Sequence, residues 1–117
     1  FEIMDMLMDN THYLIELEGN YLNDFDFKPV IESVEDQIND GVSNFVIDLA
    51  NLKFMNSTGL GALIRILTKA RTAGGEAVLV KSSTQISQLL LMTKLNQVFN
   101  NFDSLEDAVK HFNISNN

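Results

Sequence analysis

The stretch Phe54-Met55-Asn56-Ser57-Thr58-Gly59-Leu60-Gly61 separates two segments of different periodicity. Before it, Phe45-Val46-Ile47-Asp48-Leu49 is a short apolar run rich in β-branched residues, the length and composition of a buried strand. After it, Leu60, Leu63, Ile64 and Leu67 follow the i, i+3, i+4, i+7 spacing of one helix face, and the pattern stops at Gly74-Gly75. The stretch is therefore a strand-to-helix junction. Asn56, Ser57 and Thr58 are residue types that cap helices, because a side-chain oxygen can accept an orphan N–H of the first turn. This predicts that Ser57 stands at a helix N-terminus, where a phosphate would face unpaired N–H groups and the positive end of the helix dipole. Gly59 and Gly61 each cost a helix up to about 1 kcal/mol against Ala, so they serve something other than helix stability, such as close approach of another group. Local chemistry leaves two readings: a plain cap with room for packing, or a site for a phosphorylated serine.

Working outward, residues 1–8 and 12–17 read as two strands turning at Asp9-Asn10, and 19–24 as a polar turn. Val30, Ile31, Val34 and Ile38 mark the apolar face of a first helix starting at Phe25 and ending near Gly41, with Pro29 in its first turn. Glu32, Glu35 and Asp36 load its other face, which reads as solvated. On the far side of the junction, Lys69 and Arg71 suit the negative pole of the second helix, and residues 76–80 form another strand. Ser82-Ser83-Thr84 is a cap cluster for a third helix over 86–95, with Ile86, Leu89, Leu90 and Leu95 as core candidates and Leu91 and Met92 widening that apolar arc, which reads as core in preference to a partner surface. Residues 98–102 add a short strand. Asp103-Ser104 opens a last helix with Leu105, Ala108, Val109 and Phe112 inward, and 113–117 is expected to fray. The order predicts an α/β fold: one domain over 1–112, with a mixed sheet of four to five strands and about four helices packed mainly on one face.

The 117 residues suit one core, and 45% of them are hydrophobic, without a run of membrane-spanning length. The absence of cysteine excludes disulfides, thiolate catalysis and the common structural zinc sites. Eight basic against sixteen acidic residues leave a formal charge of −8, which disfavours direct contact with nucleic acid or anionic membranes. His12 and His111 have no ligand-like spacing and read as surface residues. No catalytic triad, phosphate-binding loop or zinc spacing is present, so the residues predict neither an enzyme, nor a metal, nor a cofactor.

The segment from Asp48-Leu49 through Phe54-Met55-Asn56-Ser57-Thr58-Gly59-Leu60-Gly61 resembles the signature of bacterial anti-sigma factor antagonists, the stand-alone STAS domains, which typically reads D-L, a short variable stretch, then F-M-D-S-(S/T)-G-L-G. The resemblance continues through the Gly74-Gly75-Glu76 turn, the strand at 77–80 and the third helix with Val98-Phe99, and so covers most of the chain. It implies the STAS fold and a cytoplasmic regulator of transcription that binds an anti-sigma factor of the serine-kinase ATPase type and so frees a sigma factor. It further implies phosphorylation of Ser57, with Thr58 the second choice, and resetting by a PP2C-type phosphatase. Asn23, Asp24, Asn56, Ser57, Thr58, Gly59 and Gly61 are the implied partner-binding residues. The chain departs from the family pattern in having Asn56 for the usual Asp, and Leu22, followed by Asn23 and Asp24, where an acidic residue is usual. The alternative implied by the same resemblance is a ligand- or nucleotide-sensing STAS module of a transporter or sensor.

Overall fold

The computed structural model describes residues 3–7, 12–21 and 24–115, with side chains for 12–18, 27–52 and 55–112. Strands β1 (Ile3–Leu7), β2 (His12–Tyr21), β3 (Asn44–Met55), β4 (Glu76–Val80) and β5 (Asn101–Phe102) lie side by side in chain order. The β1–β2 pair is antiparallel and the rest are parallel, which makes the sheet mixed. Helices α1 (Asp24–Asn39), α2 (Ser57–Thr72) and α3 (Thr84–Met92) make the crossovers, a short 3-10 turn spans Leu95–Gln97, and α4 (Leu105–Ser115) closes the described chain. The expected turn at Asp9-Asn10 lies outside the described residues.

Alternation along the strands sorts the helices. Tyr13, Ile15, Leu17, Phe45, Ile47, Leu49, Ala77 and Leu79 face one side and share a core with residues of α1, α2 and α3. Leu14, Val46, Val78 and Val80 face the other and pack against Ala108 and Phe112 of α4. Three helices therefore cover one face and one covers the other. On α2, Leu63 and Ile66 are fully buried, and burial of each such side chain contributes roughly 1.5–3 kcal/mol. The return from α2 to β4 needs glycine twice: Gly74 has φ +91°, and a Cβ on Gly75 would strike the carbonyl of Ser43.

Strand β3 is longer than its apolar run. It continues through Ala50 to Met55, with Leu49, Leu52 and Met55 buried at three-residue intervals. Two register shifts against β2 account for this. Glu16 pairs with Asp48 and Glu18 with Asn51, then Gly19 with Leu52 and Asn20 with Phe54, so β3 spends an extra residue at each shift. A bulge at each place restores the inward direction that strict alternation would lose.

Five other expectations are corrected. Helix α1 begins at Asp24, so Pro29 sits beyond the first turn, where it cannot donate to the carbonyl of Phe25, and its exposed edge tolerates the loss. His12 is not on the surface: it is 2% exposed on β2 with its ring edge-on to Phe112, centroids 4.8 Å apart. The third helix ends at Met92, where Lys94 turns into the left-handed region at φ 64°, and Leu95 starts the separate 3-10 turn. Leu91 and Met92 consequently stay 62% and 80% exposed while Ile86 and Leu90 are buried, because a helix lying on a sheet has one inward arc and this one is already filled. Ile64, also expected inside, is exposed as well.

Candidate functional site

Parallel pairing brings the carboxyl ends of β2, β3 and β4 to one end of the sheet, the usual place for function in α/β folds. Tyr21 at the end of β2 pairs with Met55 at the end of β3, and α1 and α2 start just beyond them. Leu22 and Asn23 lie outside the described residues; Asp24 is the first residue of α1, and its side chain lies outside them too.

Asn56 has extended backbone (φ −105°, ψ −171°) and is the N-cap of α2. Its Oδ1 accepts the Gly59 N–H at 3.1 Å and its carbonyl accepts the Leu60 N–H at 3.0 Å. Ser57 is thus the first helical residue and is exposed, and Thr58 beside it is half-buried. The first turn of α2 holds no acidic side chain, so nothing in it competes for the positive end of the helix.

The two glycines differ. Gly59 is buried, and a Cβ there would collide with the side chain of Met55 and press on the ring of Phe27 from α1. Gly61 is half-buried, and a Cβ there would meet nothing within 4 Å. Internal packing explains the first glycine only. One to three turns past Ser57, Gly61, Ile64, Arg65 and Thr68 continue the outward stripe of α2.

In a chain of charge −8, the 16 residues of α2 include Arg65, Lys69 and Arg71 and no carboxylate. Lys69 lies 3.9 Å from Glu35 and Arg71 lies 3.1 Å from Glu76, whereas Arg65 has no ion pair among the described residues. The outward stripe is therefore apolar at Ile64 and positive at Arg65. Both escape sequence reasoning for plain reasons: Ile64 fits the periodicity of the buried face, and a single arginine on a helix carries no motif.

An open groove of about 590 Å³ lies at the other end of α2, lined by Glu35, Ile38, Thr68, Lys69 and Thr72 among others. Ser57 is not among its walls. Among the described residues, no group of three His, Asp or Glu side chains is placed to hold a metal, and no helix is long and apolar enough to cross a membrane.

A sequence model of the STAS domain matches residues 10–108. Over 73 residues the chain is 23% identical to a candidate anti-sigma factor antagonist of Thermotoga maritima, an alignment covering 62% of this chain and 65% of that protein. Among solved structures, the fold is similar to the anti-sigma factor antagonist SpoIIAA in its unphosphorylated form, with a TM-score of 0.80 at 16% identity over 94% of this chain and 95% of that one. The phosphorylated form of SpoIIAA from Bacillus gives 0.74 at 17% identity, covering 94% of this chain and 98% of that one. The STAS domain of a SulP transporter from Vibrio cholerae gives 0.72 at 18% identity, covering 96% and 89%.

Proposed function

The chain belongs to the STAS domain family, and from that premise we propose that it is an anti-sigma factor antagonist switched by phosphorylation of Ser57. The observation that carries the reading is the setting of Ser57: an exposed hydroxyl on the first residue of α2, with no acid in that turn and an open glycine one turn further along the same face. In the unphosphorylated state this end of α2 and its outward stripe dock against a serine-kinase anti-sigma factor. Gly61 lets the partner approach the helix backbone. Asn23, Asp24, Asn56, Thr58 and Gly59 also contribute to partner binding, Gly59 by holding the turn in place.

Phosphorylation adds about −1.5 to −2 charges at pH 7. The helix end tolerates that charge, but a close, desolvated interface does not, so the complex separates while the domain stays folded. The kinase brings the ATP, a PP2C-type phosphatase removes the phosphate, and the chain catalyses nothing itself. It works in the cytoplasm through protein contacts, with neither nucleic acid nor membrane.

The test is a pull-down from the source cells with the wild-type chain, Ser57→Ala and Ser57→Glu, with mass spectrometry of the partners and of Ser57. Capture of an ATPase-fold serine kinase by the first two and not by the third, with phosphate on wild-type Ser57, is the expected result. The likeness to a transporter STAS domain and the groove between α1 and α2 favour a second reading, a ligand-sensing module without a phosphoswitch. Equal capture of one partner by all three forms, with Ser57 unmodified, would decide for it.

A further inference from the structure

We propose that Asp48 and Lys81 form a latch that positions the segment carrying Ser57. As a statement about a switch, this rests on the reading of Ser57 given above; as a statement about the segment, it stands alone. Strand β3 parts from β4 before it parts from β2. Its last pairing with β4 is Asp48 with Val80, and from Leu49 to Met55 its described strand partner is β2. The first bulge falls at this branch point, at Leu49-Ala50.

A bulge frees a backbone N–H from the ladder, and here a side chain receives it: Asp48 Oδ1 accepts the Ala50 N–H at 2.9 Å. The other oxygen, Oδ2, lies 3.6 Å from Lys81 Nζ. Asp48 is nearly buried, with its side chain 12% exposed, and its register partner on β2 is another carboxylate, Glu16. Like charges side by side on one sheet face repel, and a nearby cation offsets that repulsion.

Lys81 supplies it from an unusual backbone. It has φ 57°, where a residue other than glycine carries strain, and its N–H donates to the Phe102 carbonyl at 3.0 Å. The lysine is thus tied to β5 at its backbone and to the β3 bulge at its ammonium. Glycine would suit that backbone better but has no ammonium.

The consequence runs along β3. The bulges keep Leu52 and Met55 inward, Met55 is the side chain against which Gly59 is fitted, and Asn56 follows as the cap. A loosened bulge would shift the frame of that sequence, and with it the start of α2. Asp48 and Lys81 touch neither Ser57 nor its neighbours in sequence; they act through β3.

Amide hydrogen exchange on the purified chain tests this without any partner, in the wild type, Lys81→Met, Lys81→Gly and Lys81→Arg. Lys81 is half-exposed, so all three variants are expected to fold, which a urea unfolding curve verifies for each. In Lys81→Met and Lys81→Gly, amides 50–60 should exchange roughly tenfold faster while those of α4 and of β4 up to Val80 keep their wild-type rates; Lys81→Arg should restore protection. Unchanged exchange at 50–60 overturns the proposal, as does an equal rise throughout the domain, which would make the pair an ordinary stabilising contact. Ser57 could be found never phosphorylated and the exchange result would still stand, so the latch and the phosphoswitch fail separately.

Discussion

Asn56 caps α2 by accepting the Gly59 N–H at 3.1 Å, so the residue that departs from the family's acidic pattern performs the local task an Asp would perform. An amide oxygen and a carboxylate oxygen accept that N–H equally well in geometry, and they differ in charge. Asn56→Ala should cost about 1 kcal/mol in urea unfolding, the usual worth of an N-cap, whereas Asn56→Asp should match the wild type or gain about 0.3–1 kcal/mol from the helix dipole. The gain should vanish when Ser57→Glu is added, because two adjacent negative charges then share one helix end. A neutral cap thus leaves the dipole's whole stabilisation available to a charge on residue 57.

Gly59 and Gly61 should respond to alanine with opposite signs. At Gly59 a methyl meets Met55 and Phe27, and overpacking of this kind costs about 1–3 kcal/mol, more than the helix propensity gained. At Gly61 the space is open and the helix gains about 0.5–1 kcal/mol. Thermal unfolding of Gly59→Ala and Gly61→Ala reads both. If Gly61 is the point of close approach, Gly61→Ala should also weaken capture of the kinase while raising the melting temperature, a combination that loss of folding cannot produce.

On α3 the exposed and buried apolar residues make a further contrast. Leu90→Ala removes a side chain that is 1% exposed and should cost about 2–5 kcal/mol. Met92→Lys, at 80% exposure, should leave stability within about 0.5 kcal/mol of wild type. Equal losses in urea unfolding would mean that Met92 is covered in the folded chain.

The contrast also marks how far periodicity could be read. Strand β4, α2 with its Gly74-Gly75 exit, and the capped start at Asn56 were legible because each rests on local rules: apolar spacing, cap chemistry, a positive φ. Leu91, Met92 and Ile64 were misplaced because apolar character says that a residue could be buried, whereas the sheet decides how wide the buried arc is. His12 was misplaced for the converse reason, since a polar ring covered by Phe112 of α4 has no signal in its own neighbourhood. The extension of β3 to Met55 was hidden by its bulges, which break the alternation by which a strand is recognised. At the site, Ser57 and its cap could be read from neighbouring residues, but the different duties of Gly59 and Gly61 and the lone charge of Arg65 needed the packing of α1, α2 and the sheet.

Helix α3 ends on a residue with backbone strain. Lys94 follows the C-cap Thr93 at φ 64°, its N–H donates to the Leu91 carbonyl at 3.1 Å, and Leu95 after it packs back against the core. This is the position at which helices commonly end on glycine, because a Cβ in the left-handed region crowds the following carbonyl. Lys94 is exposed and forms no ion pair among the described residues, so removing its side chain forfeits no such contact. Lys94→Gly should therefore stabilise the domain by up to about 1 kcal/mol, the strain relieved exceeding the entropy added to the unfolded chain. Lys94→Val should do the reverse, since a β-branched side chain fits the left-handed region worse than lysine does. Urea unfolding of the pair gives the answer through its order: glycine above wild type and valine below it locates the strain at Lys94, and glycine at or below wild type removes it.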